Sequence, residues 1–124
     1  VSTMSVVQEI EARAANATTV LLEVNIAGEE SKSGIAPAAA DAFLEKAAAC
    51  GKVRFCGLMC MPPLCEDTVA ARPYFAQTRE LAQRLSTKWR GTYTFDQLSM
   101  GTSADYETAV QEGATIVRVG SVLF

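Results

Sequence analysis

Apolar positions along this chain change their period several times. Over residues 5–15, Val6, Val7, Ile10 and Ala14 recur at helical spacing, with Gln8, Glu9, Glu11 and Arg13 between them. This pattern predicts an amphipathic helix. Residues 20–26 follow as a mostly apolar run, Val-Leu-Leu-Glu-Val-Asn-Ile, which suits a parallel strand covered on both faces. A second helix is predicted over 38–49, with Ala39, Phe43, Ala47 and Cys50 on its inner face and Gly51 as its stop. The second strand is 53–59, and Met61-Pro62-Pro63 then excludes a continuing helix. The longest helix is predicted over 67–88, with a stripe of Ala71, Phe75, Thr78, Leu81, Ala82 and Leu85 and with Pro73 delaying its start. A short strand at 97–99, a turn beginning at Gly101, a helix over 104–112 ended by Gly113 and a strand at 115–119 complete the series.

The order is α-β-α-β-α-β-α-β, which predicts a parallel sheet with helical crossovers. Right-handed crossovers bring the C-terminal ends of all strands to one side, with loops starting near Ala27, Cys60, Met100 and Gly120. Ligands of α/β folds bind at that side. Four βα units make either an open sheet or half of a (β/α)8 TIM barrel, and periodicity does not choose between them. The chain starts in a helix and stops on a strand with nothing after it, which favours the half-barrel. The strands at 20–26 and 115–119 are then expected as bare sheet edges, needing a partner: the missing half or a second copy of the chain.

With 124 residues, 49% of them hydrophobic and 20% charged, the chain has the size and composition of one globular domain rather than of a disordered segment. A net charge of −3 argues against non-specific binding to nucleic acid. The longest apolar runs are far too short to cross a membrane. No basic stretch followed by an apolar core opens the sequence, so no secretory signal is expected. Cys50, Cys56, Cys60 and Cys65 invite a zinc or disulfide reading, but there is no histidine and no pair of two-residue gaps. Reduced thiols in a cytoplasmic setting are the expectation.

Three segments carry candidate chemistry. Leu98-Ser99-Met100-Gly101-Thr102-Ser103-Ala104-Asp105 joins a strand to a helix. Thr102 and Ser103 there either present hydroxyls and backbone N–H groups to a phosphate, or Ser103 simply caps the helix. Arg118-Val119-Gly120-Ser121 lies at a strand end. Arg118 either meets a ligand, with Gly120 and Ser121 gripping a phosphate, or pairs with a carboxylate such as Asp105 or Glu107. The third segment, residues 23–34, holds Asn25 near a strand end and Lys32 in a polar loop. Lys32 could approach an anion or an aldehyde, although an exposed loop lysine is ordinarily solvated. Met59 and Met61 could line an aromatic ring or simply pack.

Val24-Asn25-Ile26-Ala27-Gly28-Glu29-Glu30-Ser31-Lys32-Ser33-Gly34, Gly57-Leu58-Met59-Cys60-Met61-Pro62, the 98–105 segment and Thr115-Ile116-Val117-Arg118-Val119-Gly120-Ser121 together resemble the pyridoxal phosphate homeostasis proteins, in order and spacing across essentially the whole chain. That family consists of small barrels similar to the N-terminal domain of alanine racemase. The resemblance implies that residues 1–124 form a partial pyridoxal 5′-phosphate-binding barrel domain whose N-terminal half is absent. It implies that Thr102 and Ser103 make one side of a phosphate cup, Gly120 and Ser121 the other, and that Arg118 faces the pyridine nitrogen. An arginine there disfavours a protonated ring and weakens the electron sink of most pyridoxal enzymes. A non-enzymatic carrier in vitamin B6 homeostasis, delivering cofactor to apoenzymes, is therefore the expected role. The family usually has Met where Thr102 stands, which leaves backbone contacts unaffected. The family's Schiff-base lysine ends the first barrel strand and is expected outside this chain. Lys32, Lys46, Lys52 and Lys88 do not match it.

Two alternatives remain. One is a fragment of a pyridoxal-phosphate-dependent amino-acid racemase. It needs a second acid/base residue, and Tyr74, Tyr93 and Tyr106 match no such motif. The other is a phosphate-binding or interaction module without aldehyde chemistry.

Overall fold

A computed structural model of the chain describes residues 1–28, 34–62 and 68–118. Helices and strands alternate as α1 (Met4–Arg13), β1 (Thr18–Val24), α2 (Ala40–Ala47), β2 (Val53–Cys60), α3 (Arg72–Lys88), β3 (Gln97–Thr102), α4 (Tyr106–Gln111) and β4 (Ile116–Arg118). Single 3-10 turns at Pro37–Ala39 and Thr68–Ala71 lead into α2 and α3. The strands are parallel and stand in the order β1-β2-β3-β4. Each strand thus neighbours the next in sequence, and right-handed crossovers of this kind put the helices on one face of the sheet.

That face carries the core. Leu22, Val24, Phe55, Leu58, Cys60, Leu98 and Met100 from the strands are buried with Val7, Leu44, Phe75 and Leu85 from the helices. The expected stripe of α3 holds: Ala71, Phe75, Thr78, Leu81, Ala82 and Leu85 are all buried. Pro73 sits at the start of α3, where a missing N–H costs nothing. The inner face of α2 keeps Ala47 from the sequence reading, but its first two buried positions stand one residue later than read. Ala40, Leu44 and Ala47 are buried, whereas Ala39 is exposed and Phe43 and Cys50 are half-buried. The preceding 3-10 turn advances three residues per turn rather than 3.6, and so shifts the register. In α1 only Val7 is fully buried and Val6 is 44% exposed.

β3 also departs from expectation. It runs on to Thr102, so Gly101 lies within the strand rather than starting a turn. Ser99 pairs with Ile116 and Thr102 with Arg118, so three steps on β3 oppose two on β4. Gly101 occupies this bulge with φ +103, and a Cβ there would stand 2.7 Å from the Ala109 Cβ of α4. Gly57 is required for another reason: a Cβ there would overlap the Gln97 carbonyl of the neighbouring strand.

The outer edge of β1 is not bare. The amino group of Val1 donates to the Leu21 carbonyl, and the Glu23 N–H donates to the Val1 carbonyl. Ile35 then takes over, donating to the Glu23 carbonyl and accepting from the Asn25 N–H. The backbone groups expected to be exposed over this stretch are therefore paired. Two ion-pair clusters tie helices together: Glu112 with Arg72 and Arg79, and Asp41 with Arg84 and Lys88. Among the described residues, no helix is long and apolar enough to cross a membrane.

Candidate functional site

Parallel pairing brings Val24, Cys60, Thr102 and Arg118, the last residues of the strands, to one end of the sheet. Among the described residues, Arg118 is a cation placed there. Its Nη1 donates to Ser99 Oγ at 2.8 Å and its Nη2 to the Cys60 carbonyl at 3.3 Å. One side chain from β4 therefore reaches over β3 to the end of β2. Ser99 is 5% exposed, so the contact is largely shielded from water. Both acceptors are neutral. Among the described residues Arg118 forms no ion pair, so the carboxylate pairing with Asp105 or Glu107 is not what holds it. A half-buried guanidinium keeps its full charge and its remaining N–H donors.

Cys60 lies beside this group. Burial pushes its thiol pKa up, against a hydrogen bond with Thr78 and the positive charge of Arg118, both of which pull it down. Burial dominates, so the thiol stays protonated at neutral pH and acts as core filler.

The turn after β3 is organised by Asp105. Its Oδ1 accepts from the Thr102 N–H at 2.7 Å and from Thr102 Oγ1 at 3.2 Å. The Ala104 N–H donates to Thr102 Oγ1 at 3.4 Å. These bonds close the turn between β3 and α4 on itself; Asp105, not Ser103, is the residue that precedes α4, and no side-chain hydrogen bond caps that helix. The Thr102 N–H is thus committed to a carboxylate of its own chain. Ser103 is half-buried on the same turn. α4 has only six residues, so its dipole adds little.

Of the residues that sequence reasoning singled out, Thr102 and Arg118 are register partners across β3 and β4, and Ser103 follows on the turn after β3. Gly120 and Ser121, together with Lys32 and Cys65, lie outside the described residues. Ser99, the Cys60 carbonyl and the bracing role of Asp105 were not anticipated. The available signal for Ser99 was its place inside an apolar strand, since a buried hydroxyl needs a partner. Met59 is half-buried and Met61 is 53% exposed. The described lysines are elsewhere. Lys46 is exposed on α2, Lys52 precedes β2 with its Nζ donating to the Ala14 carbonyl, and Lys88 pairs with Asp41. A hollow of about 420 Å³ lined by Arg79, Phe95, Asp96 and Gly113 lies near the start of β3, away from these strand ends.

Comparison with known proteins places this geometry. The chain is 43% identical over 105 residues to the pyridoxal phosphate homeostasis protein of Aquifex aeolicus, a match covering 85% of the chain and 45% of that protein. It thus spans less than half the length of this curated relative. A crystal structure of an unknown protein from Bifidobacterium adolescentis superposes with a TM-score of 0.87 at 35% identity, over 100% of the chain and 51% of the other. PipY of Synechococcus elongatus with PLP bound superposes with a TM-score of 0.81 at 29% identity, over 96% of the chain and 56% of the other. The family model described as alanine racemase, N-terminal domain, matches residues 1–124, and the chain belongs to that family.

Proposed function

We propose that this chain is the pyridoxal-phosphate-holding part of a cytoplasmic cofactor-homeostasis protein, a carrier rather than an enzyme. In this reading residues 1–124 are four βα units making the C-terminal half of a (β/α)8 barrel. Helices on one face and strands in sequential order support a barrel over a doubly wound sheet, which has helices on both faces. The carrying observation is Arg118. It is a cation at the strand ends of a parallel sheet, held by the neutral Ser99 hydroxyl and Cys60 carbonyl, and it has no ion-pair partner among the described residues.

These residues fit a phosphorylated pyridine. Arg118 would meet the ring nitrogen as a donor, and its charge would oppose protonation of that nitrogen. Thr102, Ser103, Gly120 and Ser121 would hold the phosphate. Because the Thr102 N–H already serves Asp105, its neighbours in the turn would carry more of that contact. Bound pyridoxal phosphate supplies an aldehyde that takes up amino groups, and the lysine that receives it would come from the other half of the barrel. Apoenzymes would then be the recipients.

The test is a titration with pyridoxal phosphate, followed by absorbance before and after borohydride, on the complete protein. Saturable binding without racemisation of added amino acids is expected. Racemisation would favour the racemase alternative, and binding of inorganic phosphate without any cofactor spectrum would favour a phosphate module.

A further inference from the structure

Arg118 has a role in the reading above, but a long flexible side chain does not place its own head group. β4 has one strand neighbour among the described residues, and several rotatable bonds separate its backbone from the guanidinium, so the strand alone constrains the head group weakly. What fixes the head group is the pair of acceptors, Ser99 Oγ at 2.8 Å and the Cys60 carbonyl at 3.3 Å. Ser99 is the buried one of its strand face, 5% exposed, while its register partners Met59 and Ile116 are half-buried and 43% exposed. A carboxylate in its place would hold an arginine more strongly, but it would neutralise the charge and compete with the ligand. A hydroxyl orients the same group and leaves the charge intact.

We infer that Ser99 is the positioning residue of this site. It fixes the guanidinium plane of Arg118 while leaving its charge and remaining donors to an acceptor on the ligand. The ligand's identity rests on the proposed function; the tether itself does not. The Cys60 carbonyl is backbone and cannot be removed by substitution, so Ser99 is the testable half of the pair.

The experiment compares wild type, Ser99→Ala and Ser99→Thr in the complete protein, with equal thermal melts required first. The first measurement needs no ligand. Nitrogen-15 NMR of the arginine side chains, with Arg118 assigned through Arg118→Lys, reads rotation of the guanidinium. Ser99→Ala should speed that rotation several-fold and Ser99→Thr should restore it. The second measurement is titration with pyridoxal phosphate. Ser99→Ala should weaken binding roughly threefold to tenfold, as expected when one charge-assisted hydrogen bond is lost at second hand. It should also move the bound spectrum toward the ring-protonated form, with Ser99→Thr behaving as wild type. Unchanged Arg118 signals in Ser99→Ala would overturn the inference whatever the cofactor does. Signals that respond as expected while even the wild type fails to bind cofactor would leave the tether standing and remove the functional reading instead.

Discussion

Thr102 and Asp105 close the turn after β3 upon themselves. The Thr102 N–H and hydroxyl both donate to Asp105 Oδ1, and the Asp105 N–H returns to the Thr102 carbonyl at 3.2 Å. The turn therefore has its shape before any ligand arrives. Asp105→Ala should destabilise the protein by roughly 1–2 kcal/mol, the usual range for leaving a part-buried donor without its acceptor. Asp105→Asn keeps an oxygen acceptor and should lose less than about half of that. Thermal unfolding of the two variants distinguishes them, and an alanine variant as stable as wild type would show that the carboxylate does not hold the turn.

Arg118→Glu should change the absorbance of the bound cofactor in the complete protein by favouring a protonated ring. The domain should stay folded, because Arg118 anchors no ion pair among the described residues. A large fall in melting temperature with an unaltered spectrum would assign Arg118 a structural role instead.

Gly101→Ala should be severe. The substitution meets φ +103 and a 2.7 Å approach to Ala109 together, and a loss of roughly 2–4 kcal/mol is expected from strain plus overpacking. Gly91→Ala separates the two effects. Gly91 has φ +91 with no atom within 4 Å of an added Cβ, so it should lose only about 1 kcal/mol, the backbone part. Chemical denaturation of both variants measures the difference.

Acid should loosen the helical layer through Glu112 and Asp41. Hydrogen bonds from Arg72 and then Arg79 hold the Glu112 carboxyl below its ordinary pKa, and Arg84 does the same for Asp41. A depressed carboxylate contributes stability that is complete above the unfolded value, about 4. The contribution is lost as pH falls through the folded value. Glu112→Gln should therefore lower the melting temperature at pH 7 and reduce its further fall on acidification. Parallel pH dependences for variant and wild type would contradict this.

The 124-residue chain by itself should associate, and it should bind pyridoxal phosphate weakly. The outer side of β4 has no strand beside it among the described residues, and Ile116 is 43% exposed. The described lysines stand away from the ligand end, so borohydride should yield no single efficiently reduced lysine adduct. Light scattering with peptide mapping checks both halves of this expectation; a stable monomer carrying one uniform adduct would refute them together.

Hydrophobic period was enough to order the elements, because each apolar run is short and bounded by Gly, Pro or polar residues. The stripe of α3 could be read residue by residue, since seventeen residues give the 3.6 period room to declare itself. The eight residues of α2 do not, and the 3-10 turn before them moved the start of its face by one position. The end of β3 was hidden because glycine reads as a turn, whereas Gly101 here serves a bulge under α4. Arg118 was visible as a charge ending an apolar strand. Its partners were not, since Ser99 and Cys60 lie 19 and 58 residues away and become neighbours only through strand order.

The place of Arg118 on β4 has a further consequence. β4 has one strand neighbour among the described residues, and its Arg118 is joined to both β3 and β2. If β4 peels away, Arg118 leaves Ser99 and Cys60 in the same event. Amide hydrogen exchange in Ile116–Arg118 and occupancy at the strand ends should therefore report one equilibrium. Anything that presses against the outer side of β4, even without touching the ligand, would slow that exchange and tighten binding together.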